Sequence, residues 1–561
     1  GVARHALTWL RAHGTTPQAS HLLQALLQRP DVSPMVTATA VDLALSWAGT
    51  HHTNEAAWHV LNALLKREGL PADKVATTSR SALNWLDTYG TTPQASHLLQ
   101  ALLQRPDVPP PVAAKAVELA LPWAETHHTN EAAWHVLNAL LKREDLSADT
   151  FAAAARPALG WLDAHGTTPQ ASHLLHTLHR RPGLAPALST AAADQALRWL
   201  DAGQGQEAQY LLKTLLAARA LLPRQSARAV DHGCAWLTTY GEGRDASHVL
   251  AQLLRRQDLA PGSADTAAGL AMRWLAAHGH TEQAQFALSS LLPRPDLAPD
   301  LVRRAVRHTV SWLDLHGTEP SAAYVLRALL EQPRLTAETV TPATDRALTW
   351  LATHGTSRNA SFLLRALLTR TDLPAATVDR AARRALGWLG RCGTEPSAAH
   401  VLRALLEQPR LTTETVTPAT DRALTWLATH GTSRNASYVL RALLTRTDLP
   451  AATVDRTVRH AFGWLDRNGA ERNSGFVLQP LVERATPEES PGASPVDYAL
   501  GWLRSTPSTH DKWPEIRTAL GLRTDLSDRQ RSALEDVGAG GSGADGVRAG
   551  GLGADDVGAA P

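Results

Sequence analysis

Fourteen of the seventeen Trp residues fall at Trp9, Trp47, Trp85, Trp123, Trp161, Trp199, Trp236, Trp274, Trp312, Trp350, Trp388, Trp426, Trp464 and Trp502, in steps of 38 residues with a single step of 37. A fixed period of this length marks a stacked repeat, in which each unit buries its apolar face only against its neighbours. The period overrides the prior of three or four globular domains that 561 residues would otherwise carry. The expected fold is all-α: an α-solenoid, a right-handed superhelix of about thirteen 38-residue helix-turn-helix repeats, on the order of 100 Å long.

Within one repeat the apolar spacing predicts two helices. After Trp350 come Ala360, Leu363, Leu364, Leu367 and Leu368, one stripe of 3.6-residue periodicity and hence a short first helix. Pro17, Pro93 and Pro320 are read as first helical positions, where the missing N–H costs nothing. The second helix places Ala seven and three residues before the Trp (Ala343 and Ala347, Ala381 and Ala385), so that helices approach closely. Gly five residues after most of these Trp residues is read as a left-handed C-cap.

Longer copies lie on top of this period: residues 317–388 nearly duplicate 393–464, and 14–68 closely match 90–144. Residues 1–484 form the repeat array, 485–537 with Trp502 and Trp513 form capping helices, and the Gly/Ala/Asp-rich 538–561 has too little to bury and is expected to be disordered. The chain opens on Gly1, inside what is expected to be a second helix from Val2 to His13, as a piece of a longer protein would.

Net charge is +2, so no global electrostatic pull toward nucleic acid or membrane exists, and any such case must be local. Cys234 and Cys392 occupy non-matching positions, which excludes a disulfide framework or a cysteine metal site and fits a reducing, cytoplasmic setting. No apolar run approaches membrane-spanning length, and no membrane partner is expected.

A second periodic series sits twelve residues after each Trp: His21, His59, His97, His135, His173, Tyr210 (after the one-residue deletion), His248, Phe286, Tyr324, Phe362, His400, Tyr438 and Phe476. Every repeat has a ring there, about 150° from the centre of the Leu stripe at 100° per residue. Its companions three residues on are Gln24, Asn62, Gln100, Asn138 and His176 in the first half and Arg327, Arg365, Arg403 and Arg441 in the second. Two readings stay open. The rings fill gaps between adjacent layers, or they line a binding surface with Gln, Asn or Arg beside them. Between the duplicated blocks Tyr324 becomes His400 and Phe362 becomes Tyr438, which keeps a ring while changing its polar edge.

A further His series four residues after the Trp (His13, His51, His127, His165, His278, His316, His354, His430) reads as packing on the indole at a helix end. Tyr89, Tyr240, Cys392 and Asn468 replace it without a compensating ligand, so no metal is expected. The paired His51-His52 and His127-His128 lack the helical spacing of a zinc protease. Arg-x-Asp in the inter-helix turn (Arg29/Asp31, Arg105/Asp107, Arg370/Asp372, Arg446/Asp448) reads as a local ion pair. No phosphate-binding loop, nucleophile elbow or paired acid site stands out from the repeat, so neither enzyme activity, a cofactor nor a small-molecule substrate is expected.

The pattern Trp-Leu-x-x-His-Gly-Thr followed by Ala-x-x-Leu-Leu-x-x-Leu-Leu-x-Arg resembles the tetratricopeptide-like superfamily of helix-pair repeats over about residues 1–485. The 38-residue length and a Trp shortly before a Gly are also similar to octotricopeptide repeats, whose resemblance implies RNA binding. Such arrays also resemble the C-terminal sensor arms of large bacterial signal-transduction ATPases. The expected function is a non-enzymatic scaffold or sensor arm of a larger regulatory protein that binds a protein or peptide along the ring-bearing face. The alternatives are single-stranded RNA binding through the same rings and Arg327, Arg365, Arg403 and Arg441, or a passive spacer.

Overall fold

The computed structural model describes residues 2–29, 31–51, 53–181, 183–203, 205–218, 220–469, 471–484 and 494–540. All regular structure among these residues is helical. The chain forms two compact segments, Gly1–His278 and Gly279–Pro561, each built from the same alternation of a short and a long helix.

Short helices run 8 to 11 residues, as in Ala95–Gln104, Ala284–Leu291 and Asn359–Thr369. Most long helices run 18 residues, as in Ala72–Tyr89 and Ala375–Cys392. Within each segment consecutive short helices pack against one another and against their own long helix. The Leu stripe explains the first contact. Leu98, Leu99, Leu102 and Leu103 are at most 4% exposed, and each buried Leu contributes about 1.5–3 kcal/mol. The small residues before the Trp explain the second: Ala381 and Ala385 are fully enclosed and leave the space that Trp388, 1% exposed, fills.

The Trp does more than fill space. From Trp47 onward each periodic indole donates its Nε1–H to the backbone carbonyl 31 residues earlier, in the turn that leads into the preceding short helix. The distances run from 2.8 Å for Trp312 to Thr281 to 3.1 Å for Trp502 to Glu471. Trp9, on the first described helix, is 40% exposed.

The Arg of each Arg-x-Asp turn is also a link between layers. Arg105 pairs with Asp107 (Nε to Oδ1, 2.7 Å) and donates Nη1 to the carbonyls of Leu65 (2.5 Å) and Arg67 (2.8 Å) at the end of the preceding short helix. Arg256 reaches Leu216, Arg370 reaches Leu330 and Arg446 reaches Leu406 in the same way. Helix ends leave carbonyls without intrahelical partners, and a cation there satisfies them twice, by hydrogen bond and by charge. The guanidinium hydrogen bonds hold Asp107, Asp145, Asp372 and Asp448 below the usual carboxylate range. The expected local ion pair is present, but it is half of the arrangement. Where Gln replaces Arg, Gln408 Nε2 donates to Leu368 (2.7 Å), and Arg410 two residues on donates to Leu373 (2.6 Å).

Two local expectations are corrected. The glycines that end the long helices are not left-handed: Gly90 has φ −62° and Gly393 φ −66°. They are required by close approach instead, because a Cβ would lie 2.3 Å from the Leu86 carbonyl oxygen at Gly90 and 2.1 Å from that of Leu389 at Gly393. Pro17 and Pro93 sit in a lead-in turn of i→i+3 bonds, two residues ahead of the helices that begin at Ala19 and Ala95.

The His series after the Trp packs on the indole, as expected. His51 stacks on Trp47 at 4.7 Å and 6° between planes, and His127 on Trp123 at 4.6 Å and 12°. His165, His278 and His316 place Nε2 2.7–3.0 Å from a carbonyl 36 residues earlier. Tyr89 and Cys392 direct their polar atoms to the equivalent carbonyls of Thr53 and Thr356. Among the described residues no group of three His, Cys, Asp or Glu side chains gathers as metal ligands would.

Beyond residues 485–493, Pro495–Ser505, Trp513–Gly521 and Asp528–Gly540 continue the same bonding. Trp502 bonds Glu471, and Arg523 bonds both Asp525 (2.9 Å) and the Val482 carbonyl (2.8 Å). Residues 485–493 of the expected capping region and 541–561 of the expected disordered tail lie outside the described residues. No helix among the described residues is long and apolar enough to cross a membrane.

Candidate binding surface

A position opposite the Leu stripe faces away from the core, and none of the thirteen ring residues is buried. His21, His97, His173, Tyr210 and Tyr324 are exposed, and His59, His135, His248, Phe286, Phe362, His400, Tyr438 and Phe476 are half-buried. Each ring lies on its short helix, and because these helices stack within each segment, the rings form a row. Neighbouring rings touch: His21 and His59 have centroids 6.4 Å apart, and His400 and Tyr438 5.7 Å.

Two residues that the spacing argument left unassigned complete the row in the first segment. Trp58 stacks on His59 (3.7 Å) and on His97 of the next repeat (4.6 Å, 8° between planes). Trp134 lies against His135 (4.1 Å) and His173 (6.2 Å). Their signal in the sequence was their place next to the ring position in the duplicated stretch. Asn62 and Asn138, one turn on, are 9% and 6% exposed, and the Oδ1 of each is enclosed without a hydrogen-bond partner.

Burial pulls the imidazoles of His59, His97 and His135 below the ordinary histidine range, and neighbouring cations add to it. Lys66 acts on both His97 and His135. His176 is shifted the same way, by burial and then by Arg180.

In the second segment the companion is Arg, and the structure assigns each guanidinium a place. Arg327 lies over the Phe362 ring of the next repeat at 5.6 Å, Arg403 over Tyr438 at 5.4 Å and Arg441 over Phe476 at 5.6 Å. Such contacts contribute about 0.5–1 kcal/mol at partly exposed sites. Glu331 pairs with both Arg327 (3.4 Å) and Arg365 (3.3 Å), and Glu407 with Arg403 (3.0 Å). The Tyr324 hydroxyl donates to Asn359 Oδ1 at 3.1 Å. These Glu residues, absent from the sequence-level reading, sit one turn beyond their Arg at i,i+4, a spacing that was available to find them.

No protein-family description and no curated protein sequence matches the chain. Solved structures align with the chain at low identity. One is "Structure of APUM23-deletion-of-insert-region-GGAAUUGACGG", at 10% identity over 94% of this chain and 96% of that one, with a TM-score of 0.31. Another is human Puf-A, at 11% identity over 82% and 99%, with a TM-score of 0.31. A third, Kap95p with RanGDP, aligns at 10% identity over 94% and 80%, with a TM-score of 0.37. On its own bonding, Trp to turn and Arg to helix end, the chain is an all-α repeat solenoid, the class that its resemblance to tetratricopeptide-like arrays implies.

Proposed function

We propose that the chain is a non-enzymatic binding scaffold, part of a larger regulatory protein, that takes an extended polypeptide along the ring-bearing surface of its short helices. One observation carries this reading. The rings reach solvent, yet a face of several is already covered: Phe362, Tyr438 and Phe476 by the guanidinium of the preceding repeat at 5.4–5.6 Å, and His59 and His97 by Trp58. A nucleobase binds a platform through a free ring face. A polypeptide uses the edges, through side-chain amides and ring N–H or O–H groups. Glu331 and Glu407 also spend the charge of Arg327, Arg365 and Arg403 that a phosphate chain would need.

The test is the triple substitution Phe362→Ala, His400→Ala and Tyr438→Ala in the full chain, with retention of a pool of labelled 15-residue peptides as readout. Loss of retention with unchanged helicity supports the surface. Lost stability with no peptide retained by the parent chain identifies the rings as filler and the array as a spacer. Single-stranded RNA remains the second reading because Lys66, Lys142, Arg180 and Lys213 are exposed on the first segment. Absence of RNA retention at low salt eliminates it.

A further inference from the structure

Charge is sorted between the two helix rows of the first segment. The short helices Ala19–Gln28, Ala57–Lys66, Ala95–Gln104, Ala133–Leu141, Ala171–Arg180, Ala208–Ala217 and Ala246–Arg255 contain no Asp or Glu. The acids of this segment lie instead on the long helices, from Asp42 to Asp265, and in the turns. A random placement of the chain's 53 acidic residues would not leave seven consecutive short helices empty. The same row carries His21, His59, His97, His135 and His173, with Lys66, Lys142 and Arg180 at its exposed edge.

From this placement we infer that the short-helix row of the first segment, residues 19–180, binds an acidic stretch of extended polypeptide, and binds it more tightly as the imidazoles become protonated. The inference rests on the peptide-scaffold reading above and names the chemistry of its ligand. A row without carboxylates offers the imidazolium charges no partner of its own, so an external carboxylate finds them unpaired. The groups facing these rings from adjoining helices are cations or other imidazoles. His59 meets His21; His97 meets Lys66 and His59 from the helix before and His135 from the helix after; His176 meets Arg180 and His173 on its own helix and Lys213 on the next. Carboxylates occur at the rims of the row: Asp31, Asp107 and Asp145 pair with Arg29, Arg105 and Arg143 in the exit turns, Glu68 and Glu144 lie in the same turns, and Glu55, Glu131 and Glu207 lie in the lead-in turns. These Glu residues balance Lys66, Lys142, Arg180 and Lys213 near neutrality, so the surplus of positive charge arises when the imidazoles charge.

The linkage has one sign. In the free row His59, His97, His135 and His176 resist protonation, a bound polyanion favours it, and affinity therefore rises as pH falls. The experiment is fluorescence anisotropy on the full chain with three labelled probes: a 20-residue Glu/Gly/Ser peptide, a Lys/Gly/Ser peptide of equal length, and a 20-nucleotide oligouridylate. Measurements are made at pH 7.5 and 5.5, where Glu remains ionised. The Glu peptide is expected to bind about tenfold or more tightly at pH 5.5, while the Lys peptide does not gain. The variant His59→Gln, His97→Gln, His135→Gln keeps ring-sized polar side chains and is expected to lose that gain with helicity intact. The Phe362→Ala, His400→Ala, Tyr438→Ala chain is expected to keep it. Equal affinity at both pH values, or a gain that survives the His variant, overturns the inference. A pH-dependent gain shared equally by oligouridylate overturns the commitment to a peptide. If the Glu peptide fails while other peptides bind in a manner sensitive to Phe362, only this inference falls; if no peptide binds, the scaffold reading falls with it.

Discussion

The two segments share a frame and differ in what they hang on it. In residues 19–180 the outward row is imidazole and indole with amides beneath and no carboxylate. In residues 322–483 it is Phe, Tyr and His under guanidinium groups, with Glu331 and Glu407 closing ion pairs. The first row gains charge as pH falls below the ordinary histidine range, and the second holds fixed guanidinium charge that Glu331 and Glu407 balance in part. The Trp bonds that set the layers are the same in both, and the Arg links recur in both, with Gln332 and Gln408 taking the place of Arg in the second. Frame and face are thus separable: the repeat can exchange its outward residues without touching the contacts that stack it.

The largest expected effect tests the shared frame. Trp161→Ala and Trp388→Ala each remove a fully enclosed ring and its inter-layer hydrogen bond, and each should cost about 3–5 kcal/mol of local stability. Hydrogen exchange of the surrounding repeats measures this, and tolerance in one segment alone breaks the claim of a common frame. Next is the Arg link. Arg105→Ala should cost about 1.5–3 kcal/mol, because it strands two helix-end carbonyls and Asp107, whereas Gln408→Ala should cost about 1 kcal/mol, the loss of a neutral donor. Equal costs would show that charge adds nothing at these helix ends.

His179 sharpens the contrast in pH response. It occupies a Leu-stripe position in the first segment, its Nε2 is enclosed without a partner, and burial pushes its pKa down to about 4. A depressed imidazole pKa means that the unfolded chain takes up the proton first, so stability is full above about pH 6.5 and is lost as pH falls toward 4. His179→Leu should therefore stabilise the repeat by about 1–2 kcal/mol at pH 7.5, and by more at pH 5. Urea denaturation at the two pH values checks it, and a pH-independent gain would assign the effect to packing alone. In the second segment His316 is shifted upward by its hydrogen bond to Glu319, so its contribution has the opposite sign, present at low pH and lost as pH rises. The smallest effect is Glu331→Gln, about 0.5 kcal/mol in stability. It should nonetheless free Arg327 and Arg365 enough to raise RNA retention at low salt, and no change in retention would mean that the ring contacts alone hold those groups.

Period, helix pairing, the Ala gaps around Trp388 and the stacking of His51 on Trp47 were all legible in the sequence, because each depends on spacing within one repeat. The links of Arg105 to Leu65 and of Trp85 to Asn54 were not, because they depend on the offset between layers, which spacing within a layer does not contain. The same gap misplaced the glycines. Gly90 looked like a conformational cap and is instead a clearance for the Leu86 carbonyl. For the ring row, sequence gave the residues and their common side. It did not give their neighbours: Trp58 across His59 and His97, and Glu331 across Arg327 and Arg365, are what turn a list of rings into a surface with two chemistries.

The bond from each indole to the carbonyl 31 residues earlier also fixes where the chain can change length. The single 37-residue step, from Trp199 to Trp236, keeps its bond, and Gly205 still lies 31 residues before Trp236. The missing residue was therefore lost between Trp199 and Gly205, where Gly203 and Gly205 adopt φ 77° and 61°. The cap tells the same story in reverse: Arg523 comes 21 residues after Trp502, while Glu471 stays 31 before it. Both changes of length lie between a Trp and the short helix that follows it: the deletion falls before Gly205, and Trp513 begins its helix eleven residues after Trp502 where Ala95 begins ten after Trp85.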